Sequence, residues 1–217
     1  MRRRLIPGGA TLVVLLLLLS LLSGCGGTSA TQAAPTPRSS PVAAGSSVAG
    51  SGTQVALAPE QNPAGDIPDN QVFVPYTPPS GGYAFQVPEG WAQAATASGA
   101  TFTDKFNGIA VDVTSVPSAP TTQSVQGTVV PMLERSGKAV QIVKVEQITL
   151  PAGPAIRLTY TANSDPNPVT GKQVRLENER YLFFKNGTQA ALTLWAPQGA
   201  DNVDQWQQIV KSFRWTA

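Results

Sequence analysis

The sequence predicts an α+β domain built on a mainly antiparallel sheet. Several segments between residues 83 and 196 alternate apolar and polar side chains with a period of two, which is typical of strands with one buried face. Two further segments, at 124–135 and 201–211, have apolar side chains three or four positions apart, which is typical of helices. Consecutive hairpins combined with two separated helices predict this fold class.

The first clear strand is 83–87, which stops at the turn sequence Pro88-Glu89-Gly90-Trp91. The last two predicted strands flank Asn186-Gly187, the strongest two-residue hairpin signal in the chain, and we expect a type I′ turn there. The predicted strands after the first one cover residues 101–105, 109–116, 140–150, 155–160, 172–185 and 188–196.

Two helices are expected beside these strands. The earlier one, over 124–135, contains Pro131, which is expected to kink or shorten it. The later one has Asp201 as its expected N-cap. The apolar face of the earlier helix comprises Val125, Val129, Met132 and Leu133, and that of the later helix comprises Val203, Trp206, Ile209 or Val210, and Phe213.

The first 25 residues have the three parts of a secretory signal: Arg2 to Arg4, an apolar stretch over 11–22, and a small-residue cleavage segment. The apolar stretch is shorter than the roughly 20 residues that span a bilayer. Leu22-Ser23-Gly24-Cys25 resembles the bacterial lipobox, and Cys25 is the only cysteine. We therefore predict cleavage between Gly24 and Cys25, lipidation of Cys25 (palmitate among its acyl chains), and anchoring on the extracytoplasmic side of the cell membrane. An ordinary secretory signal is the alternative.

Residues 25–70 are rich in Ala, Gly, Ser, Thr and Pro and show no hydrophobic period. Such a segment buries too little apolar surface to offset its ordering entropy, so we expect a disordered tether. About 45 flexible residues reach roughly 35–40 Å. The sequence thus predicts three parts: a signal peptide over 1–24, a lipidated tether over 25–70, and one folded domain over 72–217.

Composition excludes several functions. The chain has no histidine, which excludes Ser-His-Asp and Cys-His catalysis and the commonest zinc sites. Of its 15 basic residues, Arg2, Arg3 and Arg4 leave with the signal, so 12 remain against 13 acidic ones. A chain with nearly equal numbers of basic and acidic residues is a poor partner for nucleic acid. No phosphate-binding or dinucleotide motif is present, and we expect no cofactor.

Glu177 and Glu179 are the candidate site residues of the folded domain. They lie two apart on a predicted strand and so leave the same face of the sheet. They could bind a cation or act as paired carboxylates, although a calcium site needs more oxygen ligands than this stretch supplies. A solvated, charge-alternating strand face is the alternative. Trp91 and Trp195 are candidates for lining a ligand groove.

Residues 83–91, Tyr-Ala-Phe-Gln-Val-Pro-Glu-Gly-Trp, are similar to the opening strand and turn of the PsbP-like superfamily. That group includes the extrinsic photosystem II subunit P, the Mog family of Ran-binding proteins and many bacterial lipoproteins. A hairpin over 181–196, a helix over 201–211 and Ser212-Phe213-Arg214 resemble its closing pattern. The resemblance implies a six- to seven-stranded antiparallel sheet flanked by helices, and usually partner binding rather than catalysis. It identifies no functional residue.

Together these observations predict a lipid-anchored cell-envelope protein that is not an enzyme. Its extracytoplasmic domain is expected to act as an interaction or accessory module for a membrane or envelope complex. The expected partners are the membrane, through lipidated Cys25, and an envelope protein. The alternative is a carrier or sensor of a small apolar ligand or lipid, and a carboxylate-based wall hydrolase ranks last. No nucleic acid or metal is expected.

Overall fold

The computed structural model describes residues 54–60 and 65–216. These residues form ten strands and two helical segments. The strands are β1 (Phe73–Tyr76), β2 (Tyr83–Pro88), β3 (Ala92–Ala95), β4 (Gly99–Asp104), β5 (Asn107–Ser115), β6 (Lys138–Leu150), β7 (Gly153–Asn163), β8 (Arg175–Lys185), β9 (Thr188–Pro197) and β10 (Arg214–Trp215). The first helical segment is continuous and consists of α1 (Thr122–Ser124), a π-helical turn (Val125–Val129) and α2 (Val130–Ser136). The second is the helix α3 (Val203–Ser212).

Seven strands form one sheet in the order β3-β4-β5-β9-β8-β7-β6. Three more form a small sheet in the order β1-β2-β10. Every neighbouring pair in both sheets is antiparallel. The predicted α+β class with a mainly antiparallel sheet of six to seven strands is therefore confirmed.

The predicted hairpin between β8 and β9 is present. Lys185 pairs with Thr188, which leaves Asn186 and Gly187 as the two loop residues. Both have positive φ, 50° and 78°, as a type I′ turn requires. This turn aligns β8 and β9, two long neighbouring strands at the centre of the large sheet.

Three strands were not predicted, and each lacks the usual signal. β1 contains Pro75, β3 is Ala-Gln-Ala-Ala without a β-branched residue, and β10 is two residues long. These segments are strands because of the strands they pair with. In the small sheet, β1 and β10 pair with β2 on its two sides; in the large sheet, β3 pairs with β4 and forms one edge.

The seven-stranded sheet has apolar side chains on both of its faces. The front face, which bears Leu192 and Leu194, packs against the small sheet and α3. The back face, which bears Leu158 and Leu182, packs against the segment 122–136 through Val125. Among the described residues, this one short helical segment covers the back face.

The helix α3 buries Trp206, Ile209 and Val210 as its spacing predicts. Its start differs from the prediction. The N-cap is Asn202 rather than Asp201, and the Asn202 side chain makes no capping bond. It accepts a hydrogen bond from the backbone N of Ile67 (2.6 Å) instead, so tertiary packing overrides the local capping signal.

The earlier helical segment starts with a capping box. Thr121 Oγ1 accepts from Ser124 N (3.0 Å), and Ser124 Oγ accepts from Thr121 N (2.9 Å). A regular helix would press the Pro131 ring against the carbonyl of Gly127. The turn before Pro131 is π-helical, with Val130 N donating to Val125 O. The proline thus widens one turn, and the segment extends to Ser136 without being shortened.

Part of the expected tether packs against the domain. Ile67 is 3% exposed and belongs to the front core. Leu57 N donates to Asn163 Oδ1 (3.0 Å), and Asn163 Nδ2 donates to Val55 O (2.9 Å). Packing thus begins before residue 72, where the sequence pattern places the start of the domain, because one isolated apolar side chain fills a core position. The other tether residues, 25–53 and 61–64, lie outside the described residues. Cys25 is among them, and Gly24 of the predicted cleavage site lies outside as well.

Within residues 54–60 and 65–216, no helix is both long enough and apolar enough to cross a bilayer.

Candidate functional site

Glu177 and Glu179 lie on the front face of β8, under the N-terminal end of α3. They line a cavity of about 220 Å³ together with Arg157 and Trp206. Both carboxylates are partly buried, so the structure brings the predicted pair together beneath a helix instead of on a solvated strand face.

The two carboxylates have different surroundings. Glu179 accepts a hydrogen bond from the Tyr181 hydroxyl, and its Oε1 lies 3.6 Å from Arg157 Nη1. Arg157 Nε also donates to Glu146 Oε1 (2.9 Å). Glu177 has no ion pair among the described residues. Burial, reinforced by the nearby Glu179 charge, raises the pKa of the Glu177 carboxyl.

This arrangement ties three strands together. Glu146, Arg157 and Glu179 belong to β6, β7 and β8, so their ion pairs run across the sheet. No group of three or more acidic or cysteine side chains within the described ranges is arranged to hold a metal ion. The cluster is therefore best explained as a cross-strand ionic network.

A larger cavity of about 840 Å³ opens at one end of the front face, and we call it the front cavity. The proline-glycine turn over 78–82 forms one wall, β10 and the β8–β9 turn form others, and the β3–β4 hairpin closes the last side. In the first wall, Gly81 N donates to Pro78 O (2.9 Å), and the positive φ of Gly82 (91°) directs the chain into β2.

Three polar atoms around the front cavity have no hydrogen-bond partner among the described residues. They are the hydroxyl of Tyr83, the indole Nε1 of Trp215 and the hydroxyl of Thr216. Tyr83 is 4% exposed, and burial raises the pKa of its hydroxyl, which therefore stays neutral. A buried polar group left without a partner costs about 1–3 kcal/mol, so three such groups in residues that line one cavity mark it as the candidate binding site.

The chemistry of the lining is donor-rich. Tyr76, Tyr83 and Trp215 supply aromatic surface, and Lys185 is the one charged side chain among the described lining residues. The uncharged polar side chains there are Ser80, Gln93, Thr96, Ser98, Asn186, Thr188 and Thr216. The front cavity can thus accept a group that carries hydrogen-bond acceptors beside an apolar face.

Sequence patterns could not find this cavity. Its polar atoms are distinctive because they lack partners, and that depends on the packing of the small sheet against the large one. Among the tryptophans considered for a groove, Trp91 packs against the front core, and Trp195 lines a different cavity on the back face.

The chain matches no known protein family and no curated protein. Its fold matches several solved structures. The cyanobacterial PsbP of Synechocystis, CyanoP, is 15% identical with a TM-score of 0.51, and the match covers 70% of this chain and 99% of that one. Mog1p, the Ran-binding protein of Saccharomyces cerevisiae, is 13% identical with a TM-score of 0.45, covering 67% and 96%.

A third match is LpqN of Mycobacterium tuberculosis, which is involved in cell envelope biogenesis. It is 14% identical with a TM-score of 0.43, and the match covers 69% of this chain and 93% of LpqN. At these identities the likeness concerns the fold alone. The two packed sheets and α3 thus have the fold of CyanoP.

Proposed function

We propose that the chain is a lipid-anchored protein of the cell envelope whose extracytoplasmic domain is a non-enzymatic interaction module. The lipobox at residues 22–25 supports the anchor, and the spacer composition that follows supports a domain held away from the membrane. A fold that supports many unrelated functions cannot identify the role by itself, so the role is argued from the site.

The observation that carries the binding role is the front cavity. Tyr83, Trp215 and Thr216 line it, and each carries a buried polar atom without a hydrogen-bond partner among the described residues. Aromatic side chains with a polar tip are frequent anchors in binding sites. We propose that an envelope component docks here and completes these hydrogen bonds.

Neither alternative is supported by the cavity under α3. A carrier of an apolar ligand needs an apolar cavity between sheet and helix, but the cavity under α3 is small and is lined by Arg157, Glu177 and Glu179. A carboxylate-based hydrolase needs two acids facing a cleft. Here both acids lie on one strand beneath α3, and Glu179 is bound to Arg157 and Tyr181.

The docking role is tested by cross-linking in intact cells, followed by affinity capture of the tagged protein. We expect one envelope component to be captured by the wild type and lost from the double variant Tyr83→Phe, Thr216→Val. Neither hydroxyl has a hydrogen-bond partner among the described residues, and both changes keep the shape of the side chain, so we expect the variant to fold. Val143→Ala, an exposed position on β6, is the matched control. Equal capture by all three proteins would contradict docking at the front cavity.

The anchor is tested separately with Cys25→Ser. Without the thiol no acyl chain can be attached, so we expect the protein to leave the membrane fraction and to lose incorporation of labelled palmitate. Unchanged membrane retention of this variant would overturn the lipid-anchor proposal while leaving the docking proposal open to its own test.

A further inference from the structure

A second cavity, of about 570 Å³, lies on the back face of the large sheet, beside the end of the segment 122–136; we call it the back cavity. The ends of β7, β8 and β9 form its floor. Most of the described wall is apolar, from the side chains of Phe106, Leu133, Val140, Tyr160, Leu176 and Trp195.

Trp195 is held in this wall by a close approach to the neighbouring strand. A Cβ atom on Gly108 would lie 1.9 Å from the indole Cζ2, so only glycine lets the ring rest on β5. The side chain remains half-buried and lines the back cavity. The sheet thus keeps a large aromatic surface in place without enclosing it.

Arg180 supplies a charge at the same place. It lies on β8 opposite Thr193, and its Nη1 donates to Thr193 Oγ1 (2.9 Å). Its Nε is buried and has no hydrogen-bond partner among the described residues, and no carboxylate of the described ranges forms an ion pair with it. Arg180 lines the back cavity, and a partly buried guanidinium without a charge partner is a ready site for a carboxylate or phosphate oxygen.

Arg175 shows that the fold can give a buried arginine a full set of hydrogen-bond acceptors, which Arg180 does not have. Arg175, also on β8, is 2% exposed, and its guanidinium donates to four neutral oxygen atoms. The other charged side chains around the back cavity are Lys105, Lys138 and Asp165, and Lys138 is paired with Asp165. The described lining therefore carries an excess of positive charge.

We propose that the back cavity binds an amphiphilic anion. Its carboxylate or phosphate group pairs with Arg180, and its apolar body lies along Trp195 and Tyr160. The cavity is on the opposite face of the sheet from the front cavity, so this site is independent of the proposed docking function, and either can fail without the other.

Titration calorimetry of the purified protein tests the proposal with three probes: octanoate, 1-octanol and inorganic phosphate. We expect octanoate to bind more tightly than either of the others, because only octanoate offers both the charge and the apolar chain. Arg180→Gln should weaken octanoate binding by about tenfold or more and leave octanol unchanged. Arg180→Lys should retain part of the affinity, and Arg214→Gln, which removes an exposed charge elsewhere, should retain all of it.

If octanol binds as tightly as octanoate, Arg180 does not pair with the anionic group of the ligand. If phosphate binds as tightly as octanoate, Trp195 and Tyr160 do not bind its apolar body. If octanoate does not bind the folded wild type, the site is overturned. Because Arg180→Gln could unfold the domain, a second variant is included. Trp195→Phe should remove the octanoate-induced change in tryptophan fluorescence, and an unchanged signal would place the ligand elsewhere.

Discussion

Arg175 is a charged side chain that the fold encloses almost completely. Its guanidinium donates to Ala139 O (2.7 Å), Gln141 Oε1 (2.8 Å), Thr161 Oγ1 (2.5 Å) and Asn163 Oδ1 (3.0 Å). None of these partners is charged, and burial lowers the pKa of Arg175. The residue joins β6, β7 and β8 through oriented dipoles, and through Asn163 it also reaches the N-terminal segment at Val55.

Replacing Arg175 should therefore destabilise the folded domain strongly. Arg175→Met keeps much of the side-chain volume but leaves several buried oxygen atoms without a donor, and we expect a loss of about 3 kcal/mol in the free energy of unfolding. Arg214→Met, at an exposed position, should change it by less than about 0.5 kcal/mol. Urea denaturation of both variants measures the difference, and similar midpoints would show that the Arg175 bonds contribute little.

Glu177 gives a prediction about pH. Burial raises its pKa in the folded state above the unfolded value, so the folded protein binds this proton more tightly, and stability from this group falls as pH rises through that range. Glu177→Gln should therefore stabilise the domain at pH 7, and the gain should vanish below about pH 4, where the carboxyl is protonated in both states. Thermal unfolding at both pH values measures this effect.

Glu179→Gln is the matched control, since it lies on the same strand and face. This change weakens the pairing with Arg157 and the bond from Tyr181, so we expect destabilisation at pH 7. If Glu177→Gln destabilised the domain at pH 7 to the same degree, the two carboxylates would have equivalent roles, contrary to their different surroundings.

At the scale of elements, the segment 65–70 packs against the domain and forms part of its folded structure. Ile67 fills a core position next to α3, its N donates to Asn202, and Asp66 Oδ1 accepts from Asp201 N (2.9 Å). These contacts replace the capping that the sequence predicts at Asp201. The segment and the start of α3 therefore hold each other in place.

Ile67→Ala should reveal this coupling. Removing a side chain that is 3% exposed should cost about 2–4 kcal/mol, whereas Val72→Ala, at a residue that is 56% exposed, should change stability by less than about 0.5 kcal/mol. Chemical denaturation provides both values. Equal, small effects would mean that the segment behaves as the spacer its composition suggests.

The elements show where sequence reasoning succeeds. β2, β4, β5 and β7 to β9 were predictable because each has at least one buried face, and β6 because its side chains alternate in polarity although they are only partly buried. Ile67 could not be predicted, since a single apolar residue has no period. The pairing of Glu177 and Glu179 on one face followed from strand geometry, but their cover by α3 depends on tertiary packing. The unpartnered atoms of the two cavities likewise exist only in the folded chain.

At the scale of the whole molecule, the large sheet separates two cavities of different chemistry. The front cavity has three unpartnered polar atoms beside aromatic rings, and the back cavity has Arg180 beside Trp195. With the anchoring through Cys25 that we propose, the domain would present two binding faces to the envelope. The central claim is that the front cavity is the docking site.

Site-specific photo-cross-linking in living cells tests that claim most directly. A photoreactive amino acid replaces Gln93, an exposed residue that lines the front cavity, and in a second strain it replaces Val143, which is 64% exposed on β6. We predict one discrete adduct with an envelope component from position 93 and none from position 143. No adduct at position 93, or the same adduct from both positions, would contradict the account.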